Sequence, residues 1–339
     1  MITVLAGGVG AARLLRGMVR AVPASEITAI VNTADDVVLH GLHVSPDLDT
    51  VTYTLAEAGN PETGWGLAGE TWQAMDALDR FGGPTWFRLG DRDLGTHLHR
   101  TGRLAEGAGL ATVTAEIAAA WGLEVTLLPM TEDPVATMVT LADGGGTGRE
   151  AGGEVGFQEY FVRLGHSVAV DSVRFDGVEN SRPGPGVLDA LAGADVVVIA
   201  PSNPIVSIGQ PLAVPGIADA LRTRRADTVA VSPIVAGAAL KGPADRLMRE
   251  LGHEASVVGV ARLYRDLAAT LVVDTADAGL ADAVEAEGMA CVVTDTIMSS
   301  PDVAAGLARR ILGMPAEDLT PDAGVTPAAG ASRNAEARR

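Results

Sequence analysis

Four aspartates, Asp35, Asp36, Asp47 and Asp49, crowd the segment that follows the apolar run Ile27–Val31. They occur in V-N-T-A-D-D and, after a short histidine-containing excursion, in S-P-D-L-D-T, with no lysine and few arginines nearby. Carboxylates drawn together without partner cations repel one another, so a fold that gathers them wants a cation between them. The chemistry this spacing points to is a magnesium site at the mouth of an α/β sheet. An exposed acidic loop in an acidic protein is the alternative.

Other stretches carry chemistry that fits beside a metal. Ile2–Ala6 breaks into Gly7-Gly8-Val9-Gly10 and then a helical pattern, the arrangement that presents free backbone N–H groups to a phosphate. Arg13 stands where a dinucleotide fingerprint needs its third small residue, and the second strand ends in Asn32 rather than a ribose-binding acid. Both count against a nicotinamide-dependent oxidoreductase. No Gly-Lys-Ser/Thr occurs, which excludes a P-loop. Ser202 and Asn203, flanked by prolines, offer hydroxyl and amide groups suited to a base edge or phosphate oxygens. Residues 86–100 hold Arg88, Asp91, Arg92, Asp93, His97, His99 and Arg100, a mixture equally typical of a salt-bridged helix start. His97-Leu98-His99 has metal-ligand spacing, but no Cys or third His accompanies it, so zinc is disfavoured. A glycine turn, small polar donors and an aspartate cluster together read as nucleotide plus Mg²⁺, hence phosphoryl-type transfer.

The elements that must position these groups follow an α/β rhythm. Strands are expected at Ile2–Ala6, Ile27–Val31, Glu124–Pro129, Asp195–Ala200, Thr228–Ser232, Leu271–Asp274 and Ala290–Thr294, with helices between them. Helices are expected at Val51–Ala58, Gly64–Arg80 and Leu110–Trp121, and β-like runs at Thr137–Ala142, Gly156–Val162 and Val168–Phe175. The fold class is α/β: a three-layer, Rossmann-like, mostly parallel sheet with helices on both faces and a smaller inserted β/α segment. In such sheets ligands sit beyond the carboxyl ends of the strands, where every unusual loop above falls. We expect one large domain over 1–315, an insert over roughly 66–190 forming part of the acceptor pocket, a Gly-rich mobile hairpin tip or lid at 143–153, and a disordered tail over 316–339.

Composition narrows the class. A net charge of −18 argues against a nucleic-acid or anionic-membrane surface, since both demand a basic face. Lys241 is the only lysine among 25 basic residues. The single Cys291, in an apolar run, excludes an intrachain disulfide and fits a reducing cytosol. No apolar run has the length of a membrane span, and the start M-I-T-V-L-A-G-G lacks a basic n-region, so a cytoplasmic protein is expected.

The ordered motifs G-G-V-G, V-N-T-A-D-D, S-P-D-L-D-T, L-G-D-R-D-x-x-T-H, L-P-M-T-E-D-P, F-Q-E-Y-F-V, P-S-N-P-I-V-S-I-G and V-S-P-I-V-x-G resemble those of the 2-phospho-L-lactate transferase family, over nearly the whole chain except the tail. The resemblance implies a Mg²⁺-dependent enzyme of coenzyme F(420) biosynthesis. Such an enzyme moves the phospho-acid part of a guanosine-diphosphate-linked three-carbon acid to the deazaflavin FO, with release of GMP. Actinobacterial members are associated with an enolpyruvyl donor and archaeal ones with a lactyl donor; the Arg-over-Lys, Ala-rich composition leans toward the former. Carried over by motif, Asp49, Arg88, Asp91 and Met130 would face FO, with Asp49 catalytic. Gly7, Gly8, Gly10, Asn32, Ser202 and Asn203 would face the nucleotide. On the same resemblance Asp49, with Asp35 or Asp36, would hold the Mg²⁺. In this scheme Asn32–Asp36 serves the nucleotide side and Asp47–Asp49 the FO side. Family members resemble homodimers. A nucleotide-sugar-binding regulatory protein, of the gluconeogenesis-factor-like relatives, is the rival reading.

Overall fold

The computed structural model describes residues 1–142 and 152–314. The tail from 316, and all but the last two residues of the Gly-rich segment 143–153, lie outside the described residues.

Seven strands form one parallel sheet: β1 (Ile2–Ala6), β2 (Ile27–Val31), β3 (Thr126–Pro129), β4 (Val196–Ile199), β5 (Thr228–Val231), β6 (Thr270–Asp274) and β7 (Ala290–Thr294). Their order across the sheet is β7-β6-β5-β4-β1-β2-β3. Unbroken runs such as V-V-V-I form these strands because both faces are covered. Successive side chains alternate between two cores: Leu5, Ile30, Val197 and Ile199 go to one face, and Val4, Ala29, Val31 and Val198 to the other. Chain direction across the sheet reverses between β1 and β4, which pair in parallel from Ile2↔Val196 to Leu5↔Ile199. The loops leaving those two strands diverge to opposite sides, which opens a crevice at their carboxyl ends.

Two excursions build on this frame. Between β2 and β3 lie a small hairpin (Val37–Leu39 with Leu42–Val44) and four helices: α1 precedes them at Gly8–Met18, then come α2 (Pro46–Leu55), α3 (Gln73–Arg80), α4 (Asp93–Ala105) and α5 (Leu110–Ala120). Between β3 and β4 a three-stranded antiparallel sheet forms from Glu154–Gly156, Ala136–Leu141 and Val170–Asp176. The stretch 66–190, expected as one insert, includes β3 itself, an edge strand of the main sheet, so the departures from the sheet are two.

Three local expectations change. The helix expected from Val51 starts at Pro46, because Pro at the first helical position is preset for the helix and its missing N–H is no loss there. The helix expected over Gly64–Arg80 occupies only Gln73–Arg80; Gly64, Gly66 and Gly69 take φ of 81°, 70° and 66°, which breaks any helix before it. The β-like run at Gly156–Val162 is a strand only to Gly156, then one π-helical turn over Glu159–Arg163. Phe157, Tyr160 and Phe161 follow a spacing of three and four, which is helical rather than alternating, and Phe157 stacks on Phe161 at 5.4 Å.

Candidate active site

The crevice beyond β1 and β4 widens into a cavity of about 730 Å³, lined from both excursions and from the sheet. Its floor is the contact of two loops. Ser202 Oγ donates to the Gly7 carbonyl at 2.6 Å, and a Cβ placed on Gly10 would lie 2.3 Å from the Pro201 carbonyl oxygen. Only glycine at position 10 lets the β1 and β4 loops approach so closely. Asn203 Oδ1 accepts from the Ile205 and Val206 N–H groups at 3.0 and 3.3 Å, an Asx turn that presets the second loop.

The aspartates separate into two groups by geometry rather than by sequence. Buried Asn32 donates from Nδ2 to Asp35 Oδ2 at 2.9 Å and to Asp47 Oδ2 at 3.0 Å, tying those two carboxylates together. Gln210 Nε2 approaches both Asp35 oxygens at 3.4 Å. Among the described residues no ion pair forms with Asp35 or Asp47, although both line the cavity. Burial, then the neighbouring Asp47, pushes the Asp35 carboxyl well above its ordinary value. Burial likewise pushes Asp47 up to about 6, against the pull of Asn32 and the Gly8 backbone. A buried Asp35 beside a half-buried Asp47, with no ion-pair partner among the described residues, leaves two carboxylates that could take a hard divalent ion, which commonly uses one or two carboxylates plus substrate phosphates.

Asp49 lies two positions from Asp47 on α2, and side chains so spaced on a helix do not share a face. Its carboxylate receives both terminal nitrogens of buried Arg100, Nη1 reaching Oδ2 at 3.2 Å and Nη2 reaching Oδ1. His97 stands between this pair and Asp93, with Nδ1 at 3.7 Å from Asp49 Oδ2 and Nε2 at 3.2 Å from Asp93 Oδ2. Tyr53 donates to Asp93 and lies 2.8 Å from Thr96 Oγ1. Burial pushes the Asp93 carboxyl up, but His97 and Tyr53 outweigh it and the net shift is downward. Asp49, Asp93 and His97 each offer one ligand atom within 4.8 Å of the others, a set that could hold a metal ion. Arg100 already supplies a cation to it. Asp36 faces the same side: Ser45 Oγ donates to it at 2.6 Å, yet burial still pushes its carboxyl well up.

The chain matches the family described as 2-phospho-L-lactate transferase CofD over residues 2–307. It belongs to that family. A phosphoenolpyruvate transferase of Kitasatospora aureofaciens is 46% identical over 316 residues, covering 92% of this chain and 97% of that one. One from Streptomyces griseus is 45% identical over 318 residues, at 93% and 98% coverage, and one from Thermobifida fusca is 44% identical over 317 residues, at 91% and 95%. A upf0052-family protein from Bacillus halodurans has the same fold, with a TM-score of 0.57 and 20% identity over 92% of this chain and 98% of its own. No helix among the described residues is long and apolar enough to cross a membrane.

In this 2-phospho-L-lactate transferase relative, Gly7, Gly8, Gly10, Asp35, Asp49, Arg88, Ser202 and Asn203 all line the cavity. Arg88 lies at the far wall, over the Trp72 ring at 4.8 Å and paired with Asp76 at 3.0 Å. Four expected residues do not reach the lining. Asn32 acts behind it as the bridge between acids, Asp36 lies below it, and Met130 is fully buried in the core. Asp91 accepts from the Gln73 and Ala74 N–H groups at 2.9 and 3.0 Å, satisfying the start of α3. The loop after β3, expected at the site, contributes nothing to the lining, whereas Thr296–Ser299 after β7 contributes and was not anticipated. Arg100 and Asp93 were legible only as members of a charged segment. The signal that would have separated them is their α4 register with His97, which places all three on one face.

Proposed function

We propose that the protein transfers the phosphoenolpyruvate moiety of a guanosine-diphosphate-linked donor to the deazaflavin FO, releasing GMP and forming the dehydro form of coenzyme F(420)-0. The observation that carries this reading is one cavity with two chemically different acid groups. Its lining holds the Asp35/Asp47 pair beside the glycine turn, with no ion-pair partner among the described residues, and separately Asp49, paired with Arg100. A two-substrate transfer needs such a division, with a nucleotide and metal on one side and an acceptor on the other. Apolar surface at the mouth, including exposed Trp65, Leu240 and Ile297 with Phe157 and Phe161 deeper in, suits a planar deazaflavin. Relatives at 41–46% identity that carry the name phosphoenolpyruvate transferase support the enolpyruvyl form of the donor.

Asp35 and Asp47 are the residues that would hold Mg²⁺, with Asn32 fixing their orientation from behind. When bound there, the ion neutralises the donor diphosphate and polarises the attacked phosphorus. Asp49, its orientation locked by Arg100, faces the acceptor hydroxyl and receives its proton. The hydroxyl oxygen forms a bond to the phosphorus that carries the three-carbon acid, while the bond from that phosphorus to the bridging oxygen breaks. The bridging oxygen keeps the electron pair and leaves on GMP. Arg88 and the aromatic wall position the acceptor, and the closely apposed β1 and β4 loops keep the nucleotide side rigid. We place the reaction in the cytoplasm and in a homodimer.

The test is direct. Purified protein, Mg²⁺, FO and the enolpyruvyl guanosine-diphosphate donor are combined, and the product is read by mass spectrometry with GMP release followed in parallel. Failure to form product from either the enolpyruvyl or the lactyl donor would sink the reading. The lactyl product, heavier by two hydrogens, would instead correct the donor.

A further inference from the structure

The only lysine of the chain lines this cavity, in the bend between Ala238–Ala239 and the helix Ala244–Glu250. A chain that uses arginine almost everywhere else places a compact ammonium here. Among the described residues no carboxylate lies within salt-bridge distance of Lys241, although the protein has 43 acidic side chains. Its Nζ comes within 3.7 Å of the point where a Cβ on Gly64 would lie, and the Val9 side chain comes within 3.2 Å of that same point. Val9 sits inside the Gly7–Gly10 turn, so the ammonium and that turn both approach Gly64. Arg13, half-buried one turn further along α1, also lines the cavity, with no ion-pair partner among the described residues. Arg88, by contrast, is already tied to Asp76. Two cations without a carboxylate partner among the described residues therefore line the cavity that also holds Asp35 and Asp47.

Resting on the transferase reading, we propose that Lys241 binds the phosphate that leaves with the nucleoside, with Arg13 as its partner from α1. Transfer breaks the bond between the transferred phosphorus and the bridging oxygen, and negative charge accumulates on the departing phosphate. Asp35 and Asp47 would hold a metal that neutralises the diphosphate from their side, and Lys241 would reach it from the bend before the helix Ala244–Glu250. Lysine suits this role because its point charge on a flexible stem can follow the oxygen as the bond lengthens. Its free ammonium in this acidic protein stays available because nothing nearby neutralises it.

The experiment compares wild type with Lys241→Met, Lys241→Arg and Arg13→Met. GDP with Mg²⁺ is titrated by calorimetry, FO by its fluorescence, and transfer by steady-state kinetics. Lys241 is exposed, so a melting curve should show the Lys241→Met fold intact. The expected result is GDP affinity lowered about 10- to 100-fold in Lys241→Met, as for loss of a charge-assisted contact. A reduced kcat should accompany it, with FO binding unchanged, most of the affinity restored by Lys241→Arg, and a smaller loss in Arg13→Met. Unchanged GDP affinity and kcat in Lys241→Met, with wild type active, would overturn the Lys241 assignment and leave the transferase reading standing. If wild type binds GDP but transfers nothing to FO, the transferase reading fails, and GDP affinity alone decides whether Lys241 is a phosphate ligand. If wild type does not bind GDP, both fall.

Discussion

The two buried acid groups of this cavity solve the same electrostatic problem in opposite ways. Asp49 is neutralised from within, by a guanidinium that α4 inserts against both of its oxygens. Asp35 and Asp47 share only an asparagine amide and remain uncompensated. A buried charge that carries its own counter-ion is a fixed structural part, which orients whatever meets it. A pair without one, Asp35 buried and Asp47 half-buried, is open to a cation brought with an anionic substrate. On the proposed function, this difference is what separates a metal side of the cavity from an acceptor side.

Substitutions should separate the two groups by sign. Asp47→Asn is expected to lower transfer by about two orders of magnitude or more, since it removes a candidate metal ligand, and to leave the melting temperature equal or higher because it relieves a like-charge pair. Kinetics and calorimetric melting on one preparation would check this, and normal turnover would break the assignment of the metal to this pair. Arg100→Met should do the reverse in stability, costing about 3–5 kcal/mol because Asp49 is left buried and unpaired. Denaturant unfolding would show it. The same argument makes Asp49→Asn a poor isolated test of catalysis: it strands Arg100, so lost activity would mix with lost stability. Pairing Asp49→Asn with Arg100→Met and reading FO binding in the double variant distinguishes the two effects.

Mg²⁺ offers a gentler probe. Added with GDP, it should raise the melting temperature of wild type by ligand linkage, and the rise should shrink in Asp35→Asn and Asp47→Asn but persist in Asp49→Asn. An equal rise in all three would erase the distinction drawn between the acid groups.

The smallest effect concerns a third way to neutralise a carboxylate. Asp274, at the end of β6, accepts from the N–H groups of Ala276 and Thr296 at 3.0 and 2.9 Å and from Thr296 Oγ1 at 3.0 Å. Burial pushes its carboxyl up, but these hydrogen bonds outweigh it and the net shift is downward. A depressed folded pKa contributes stability that is present above the ordinary carboxylate value and lost as pH falls through the folded one. Melting of wild type should therefore weaken on acidification below about pH 4, and Asp274→Asn should show a shallower decline over that window. Parallel slopes would show that Asp274 contributes nothing to the pH dependence.

Much of the scaffold was legible because periodicity reports local burial. The unbroken apolar runs at Ile2–Ala6, Ile27–Val31 and Ala290–Thr294 are strands with those bounds, in a parallel sheet with helices on its faces. The glycine turn, Asp35, Asp49, Ser202 and Asn203 were brought to one cavity as their positions at strand ends imply. The inserts were harder. Gly64–Arg80 has helical apolar spacing, but three glycines with positive φ override it. Phe157–Phe161 alternates weakly and coils instead, because its aromatic spacing suits a turn packed on a core.

Taken alone, the sequence determined the fold class, the strand-end location of the site and the chemical kinds gathered there, because strand patterning and the strand-to-helix rule act over short distances. Which acids belong together was decided only by tertiary structure. Asp47 and Asp49, two positions apart in S-P-D-L-D-T, point to different sides of α2, and Asp47 joins Asp35 through Asn32, while Asp49 joins Arg100 from fifty-one positions away. A partner brought by chain folding leaves no mark in local spacing. That is why an aspartate cluster in sequence became, in space, one amide-bridged carboxylate pair and one closed ion pair.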